Sequence, residues 1–270
     1  MALIKNRVGL MNRYGKTRVI VCSDANELGR KAAGAVADAM RIVLSQKAEI
    51  RVVFAAGESQ GTFLAALSKA PGLDWKRIIC FNIDDFWDIR MPGKFTCGAQ
   101  TTRELYRLVK PQTVNLVRFN APDPEAECAR FEALLRAQPL DIVCQGIGTS
   151  GHLALNEPGQ CQFNDEMWVR LVELVPQSKK QLMADPNFKE LGYIPEKGIT
   201  MTIPAIFSAA QVYTMVPLAL KKPILTQLAA LTAPVELLPA SILLEKEGTL
   251  FVDEDSCPDL WRGCQSEDRK

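Results

Sequence analysis

The only histidine in the chain, His152, sits in the segment Gly146-Ile147-Gly148-Thr149-Ser150-Gly151-His152-Leu153-Ala154-Leu155-Asn156-Glu157-Pro158. Any histidine chemistry must therefore use this residue. Its three glycines permit a tight turn in which backbone N–H groups approach a ligand. A histidine and a carboxylate converging on one pocket suit general acid–base work near neutral pH. A glycine-rich turn around a structurally hydrogen-bonded histidine is the alternative reading. A second segment, Phe81-Asn82-Ile83-Asp84-Asp85-Phe86-Trp87, places two adjacent carboxylates after an apolar run. If one of them is desolvated at a strand end, its pKa rises and it can serve as a base toward a carbon acid. If both are solvated, they merely cap a turn. A third, Ala55-Ala56-Gly57-Glu58-Ser59-Gln60-Gly61-Thr62, is a small-residue turn leading into a helical pattern. Free N–H groups at such a start bind phosphate, with the Ser59 and Thr62 hydroxyls adding donors. It is neither a Walker A loop nor G-x-G-x-x-G, which disfavours a nucleotide. Lys221-Lys222, ahead of Pro223, offers a point charge for an anion or an ordinary solvated helix start.

The elements that must position these segments alternate along the chain. Short β-branched or apolar runs near 18–22, 49–54, 77–82, 113–119, 140–145, 169–175, 198–202 and 211–216 read as strands. Helical patterns cover about 24–45, 59–69, 124–137 and 222–230, the first opened by Asp24 with Glu27. This alternation predicts an α/β fold: a Rossmann-like open parallel sheet with helices on both faces. Ligand loops then lie at the carboxyl ends of the strands, where the three unusual segments fall. Stretches 87–101 and 159–194 show no clear periodicity and are expected to be irregular, as lids often are. No composition shift marks a linker, so residues 1–270 are expected to form a single domain, with a peripheral tail from about residue 256.

Composition narrows the function classes. Lys plus Arg number 32 and Asp plus Glu 31, for a net charge of +1. That balance argues against nucleic acid or an anionic membrane as a partner. Apolar runs are too short to span a bilayer, and the N-terminus lacks an apolar leader pattern, so a cytoplasmic chain is expected. The eight cysteines form no C-x-x-C pair. Cys22, Cys80 and Cys144 lie in apolar runs and read as buried thiols, whereas Cys257 and Cys264 are the pair expected to be open to oxidation. With one histidine and no dense carboxylate cluster, no metal is expected.

Asp84-Asp85 after a strand, followed by G-x-G-x-x-G-H-x-x-x-N-E-P, resembles the glucosamine-6-phosphate deaminase/isomerase family, which shares its fold with 6-phosphogluconolactonases. The resemblance covers about residues 49–255. The Gly151-His152 pair is common to both branches, and the Asn156-Glu157-Pro158 ending favours the deaminases. Ser59-Gln60 and Pro239-Ala240-Ser241 are similar to a divergent bacterial branch. The resemblance implies that Asp84 takes the C2 proton of an open-chain amino sugar, His152 opens the pyranose ring, and Glu157 supports that histidine. It implies a sugar phosphate as substrate, with Gly57, Ser59, Asp85, Gly148, Gly151 and Lys221 at substrate- and phosphate-binding positions. No cofactor is implied. The products would be a ketose 6-phosphate and ammonia, from glucosamine 6-phosphate or galactosamine 6-phosphate. Family members range from monomers to hexamers, so a homo-oligomer is among the implied states.

Four departures qualify what is implied. Ser150 stands where the family usually has an Asp two residues before the histidine; a serine can still hydrogen-bond but supplies no charge, a loss on the order of 10²-fold or more in rate. Glu58 replaces a small residue in the phosphate turn. The family's phosphate-binding arginine of the second half has no clear counterpart, Lys179 or Lys180 lying nearest. Gln160-Cys161 replaces the serine pair of allosterically activated members, so that activation is not expected. Ser150 and Glu58 open an alternative, a catalytically impaired sugar-phosphate-binding sensor. A 6-phosphogluconolactonase, needing only the histidine and the phosphate site, fits less well.

Overall fold

A computed structural model describes residues 13–184 and 186–262. In chain order the elements are β1 (Arg13–Tyr14), β2 (Thr17–Cys22), α1 (Ala25–Gln46), β3 (Ile50–Phe54), α2 (Gly61–Leu67), β4 (Ile78–Asn82) and β5 (Asp84–Trp87). Next come α3 (Cys97–Thr101), a π turn over Thr102–Tyr106, α4 (Arg107–Val109), β6 (Thr113–Asn115), α5 (Pro124–Arg136) and β7 (Ile142–Gln145). Then follow β8 (Val169–Glu173), α6 (Pro176–Ala184), α7 (Pro186–Leu191), β9 (Lys197–Met201), α8 (Ile203–Ile206), β10 (Gln211–Val216), α9 (Lys222–Ala229), β11 (Gly248–Asp253) and α10 (Asp259–Arg262).

Eight strands form one sheet in the order β1-β2-β11-β10-β7-β3-β4-β6, parallel except for the β1–β2 pair. The central strands are apolar because helices cover both faces. Period-two alternation divides their side chains between two cores. Val53, Phe81, Val143, Val216 and Val252 point into one, and Val52, Phe54, Cys80, Ile142, Met215 and Phe251 into the other. Helix α1 starts where the sequence signals it. Asp24 accepts from the N–H groups of Asn26 and Glu27, both at 2.8 Å, and Glu27 reaches back to the Ser23 N–H at 2.5 Å. Its buried stripe of Leu28, Ala32, Val36 and Met40 closes the second core.

Several expectations are corrected. The strands near 169–175 and 198–202 do not join the parallel sheet. As β8 and β9 they form a separate antiparallel sheet with β5, in the order β5-β9-β8. Alternation in sequence carries no sign of which sheet a strand enters. The Asp84 segment is itself a strand rather than a turn, and the stretch expected to be irregular at 159–194 contains β8, α6 and α7. The strand near 113–119 is only three residues long, and β11 completes the sheet beside β2. Nor is the chain peripheral from residue 256. Ser256 and Cys257 are fully buried, and Ser256 bonds Asp253 through its N–H. Cys257 is therefore not an open thiol, and Cys264 lies outside the described residues. The seven described cysteines are unpaired. Among the described residues no helix is long and apolar enough to cross a membrane.

Candidate active site

Strands β7 and β3 are neighbours, and from them the chain runs outward in opposite directions, to β4 and β6 on one side and to β10 and β11 on the other. A crevice opens at the carboxyl ends where such a sheet diverges. Here it is lined by Ala55–Ser59 after β3, Asp84 after β4, Gly146–Gly148 after β7, and Leu218, Leu220 and Lys221 after β10. Helices α3 and α6 form further walls, with Cys97, Gln100, Ser178 and Gln181.

His152 lies over Gly148. A Cβ on Gly148 would fall 2.0 Å from the His152 Nε2, so only glycine lets the ring take this place. The turn is closed by the Gly148 N–H donating to the His152 carbonyl at 2.9 Å. Nδ1 of His152 is 3.1 Å from Glu157 Oε1, 2.8 Å from Ser150 Oγ and 3.3 Å from Ser178 Oγ. Ser150 Oγ also donates to Glu157 Oε2 at 2.8 Å, and the Ser178 hydroxyl donates to Oε1. Burial works against the Glu157 charge, but the bonds from His152, Ser178 and Ser150 outweigh it and hold the carboxyl below its ordinary pKa. An ionised Glu157 accepts Nδ1–H and so fixes the tautomer, leaving Nε2 as the basic nitrogen. Nε2 has no hydrogen-bond partner among the described residues. Glu157 touches the imidazole directly, and Ser150, which brings no charge of its own, bridges the two. Asn156 fixes the turn, donating through Nδ2 to the carbonyls of Leu153 and Met201, both at 2.8 Å.

Asp84 begins β5, is 9% exposed and faces the cleft. Among the described residues nothing donates to its carboxylate. Burial, with the neighbouring Asp85 charge, pushes its pKa up to about 7. Asp85 points the other way. Its carboxylate accepts the N–H groups of Phe86 at 2.8 Å, Cys97 at 2.9 Å and Gly98 at 2.8 Å. Burial pushes the Asp85 pKa up to about 7 as well, and these three donors work against that rise. Asp85 is therefore no cleft-facing residue; it anchors the start of α3. Gly151 also stays outside the cleft, packed beneath Leu238.

At the other end of the cleft, Gly57 adopts φ +100 and its N–H donates to Gln100 Oε1 at 3.1 Å. Ser59 Oγ accepts from the buried Gln60 amide at 3.0 Å. The Thr62 hydroxyl does not join them; it is buried away from the cleft. Lys221 enters on a 3-10 turn, its N–H bonded to the Leu218 carbonyl at 2.9 Å. Leu218 holds φ +84, unusual for a side-chain-bearing residue, with its own N–H donating to Asp253 at 3.0 Å. Lys221 is buried, and desolvation lowers its pKa to about 8 against the favourable charge of Glu58. Lys179 and Lys180 do not line the cleft, and Lys179 pairs with Glu196. Arg103 and Lys94 do line it.

Sequence reasoning missed Ser178, Gln181, Gln100 and Arg103. Gln181 accepts from the Thr149 hydroxyl at 2.6 Å, tying α6 to the histidine turn. Pro176 followed by Gln-Ser-Lys-Lys-Gln-Leu-Met is a readable helix start, but nothing in it announces contact with residue 152. No group of three or more His, Cys, Asp or Glu side chains suited to a metal occurs among the described residues.

Residues 23–252 match the family model of glucosamine-6-phosphate isomerases/6-phosphogluconolactonase. A glucosamine-6-phosphate deaminase of Shouchella clausii is 27% identical over 244 residues, covering 88% of this chain and 95% of its own. One of Parabacteroides distasonis is 27% identical over 202 residues, covering 73% of each. A solved monomeric glucosamine-6-phosphate deaminase superposes with TM-score 0.76 at 24% identity, over 88% of this chain and 98% of that one. A 6-phosphogluconolactonase of Thermotoga maritima superposes with TM-score 0.70 at 19% identity, over 88% and 100%.

Proposed function

This chain belongs to the glucosamine-6-phosphate isomerase/6-phosphogluconolactonase family, and we propose that it acts as an amino-sugar-phosphate deaminase/isomerase on glucosamine 6-phosphate or its galactosamine epimer. The observation that carries this reading is the pair of proton-handling groups on one cleft. Asp84 is a desolvated carboxylate with no hydrogen-bond donor, and His152 has Nδ1 engaged by Glu157. In this reading Nε2 of His152 moves a proton from the C1 hydroxyl to the ring oxygen, opening the sugar. Glu157 stabilises the imidazolium that forms in passing. Asp84 then takes the C2 proton, giving an enolamine. Protonation at C1 followed by addition of water at C2 expels ammonia and leaves the ketose 6-phosphate. Asp84's pKa near 7 suits this work, since a base is most effective when its pKa lies close to the operating pH.

Gly57, Ser59 and Lys221 would hold the phosphate, as Gly148 would leave room for the histidine ring. Contact of Glu157 with the imidazole supports the catalytic reading over a binding-only relative, although Ser150 itself brings no charge. The test is Asp84→Asn. Turnover of the amino-sugar phosphate should disappear while sugar-phosphate binding persists. A variant that still releases ammonia at the wild-type rate would remove Asp84 from the chemistry. If instead the chain hydrolyses 6-phosphogluconolactone and Asp84→Asn leaves that hydrolysis intact while His152→Ala abolishes it, the lactonase reading replaces this one.

A further inference from the structure

The phosphate end of the cleft, as read above, is short of positive charge. Lys221 there is opposed by Glu58, and Lys94 is tied to Glu190 at 2.5 Å. Arg103 is the remaining cleft-lining cation among the described residues. It is half exposed and paired with Glu104 at 3.6 Å, a looser contact than that of Lys94 with Glu190. Arg103 sits in the π turn that interrupts the helix between α3 and α4. Such insertions re-aim side chains and concentrate at functional sites. One turn earlier, Gln100 accepts the Gly57 N–H, so this helix face is joined to the turn that carries Ser59. Thr101 anchors the same helix from behind, accepting from the Asn82 amide at 3.2 Å.

We propose that Arg103 is a phosphate-binding, specificity-determining residue, supplying from the first half of the chain the planar two-donor contact that Lys179 and Lys180 do not provide. A guanidinium matches two phosphate oxygens at once, and it tips the local balance that Lys221 and Glu58 otherwise cancel. Gln100 is its positioning partner, holding Gly57 against the same helix. The inference rests on the sugar-phosphate reading of the cleft, and its test separates the two.

Calorimetric titration with hexitol 6-phosphate, an open-chain probe that cannot react, is run beside the unphosphorylated hexitol on wild type, Arg103→Ala and Arg103→Lys. Melting curves confirm that each variant is folded. Arg103→Ala is expected to weaken hexitol 6-phosphate binding by about 10- to 100-fold. Lysine should recover only part of the loss, and the unphosphorylated hexitol should bind all three alike. With amino-sugar phosphate, KM should rise more than kcat falls. Arg103→Ala binding within twofold of wild type overturns the proposal, as does a wild type that fails to prefer the phosphorylated hexitol. Ammonia release with an unchanged KM in Arg103→Ala refutes Arg103 alone. Arg103-dependent binding with no ammonia release supports Arg103 and refutes the deaminase reading alone.

Discussion

Glu157 and Ser150 both touch the imidazole of His152, but only one of them carries charge, and this gives them separable effects. Glu157→Gln removes the charge that stabilises the imidazolium and should lower kcat by about 10²- to 10⁴-fold. Ser150→Ala leaves Glu157 in contact with Nδ1 and should cost about 10-fold or less; equal losses in the two variants would contradict the geometry. Asp84 predicts both a pH profile and a stability change. As the base it must be ionised, so kcat/KM should fall on the acid side with a midpoint near pH 7. In the unfolded chain the same group titrates near ~3.9. Between these values the folded state binds more protons than the unfolded one, so stability falls as pH rises through that window. Above about 7 the protein bears the full cost of a buried charge. Asp84→Asn should therefore melt about 5 °C or more above wild type at pH 8, with a gain that shrinks toward pH 5. A gain of the same size at both pH values, or a loss, would show that Asp84 is not held desolvated.

At the scale of elements, Asp85 binds the start of α3 and sets the wall that carries Cys97 and Gln100. Asp85→Ala leaves three buried N–H groups short of an acceptor and should destabilise the fold by about 2–4 kcal/mol in denaturant titration. It should also raise KM, because the wall moves; an unchanged stability would return Asp85 to the ligand-facing role that its sequence neighbourhood implies. The pairing Asp84-Asp85 was legible as chemistry, but which carboxylate faces the cleft was not. Residues adjacent in a strand point to opposite faces, and only β5 lying beside β9 fixes which is which. The start of α1, by contrast, was legible from Asp24 and Glu27, whereas α6 lies in a stretch without clear periodicity. Ser178 and Gln181 reach the histidine turn through a packing arrangement that local sequence does not encode.

For the whole molecule, the parallel sheet and its strand-end loops follow from alternating apolar strands and helices, and the cleft forms where the chain reverses direction between β7 and β3. The small β5-β9-β8 sheet does not follow from that pattern, since its strands have the same local composition as those of the large sheet. It nevertheless pairs Asp84 with Thr200 and, through Thr200 and Met201, binds the Leu155–Asn156 turn at that same end. Segments more than sixty residues apart thus meet on one cleft, where we propose that an amino-sugar phosphate is deaminated. The measurement that tests it most directly is ammonia release by the purified wild-type chain offered glucosamine 6-phosphate, with galactosamine 6-phosphate in parallel and Asp84→Asn as the control. Wild type should release ammonia from at least one epimer and Asp84→Asn from neither. Folded wild-type protein that binds sugar phosphate yet releases no ammonia from either would contradict it.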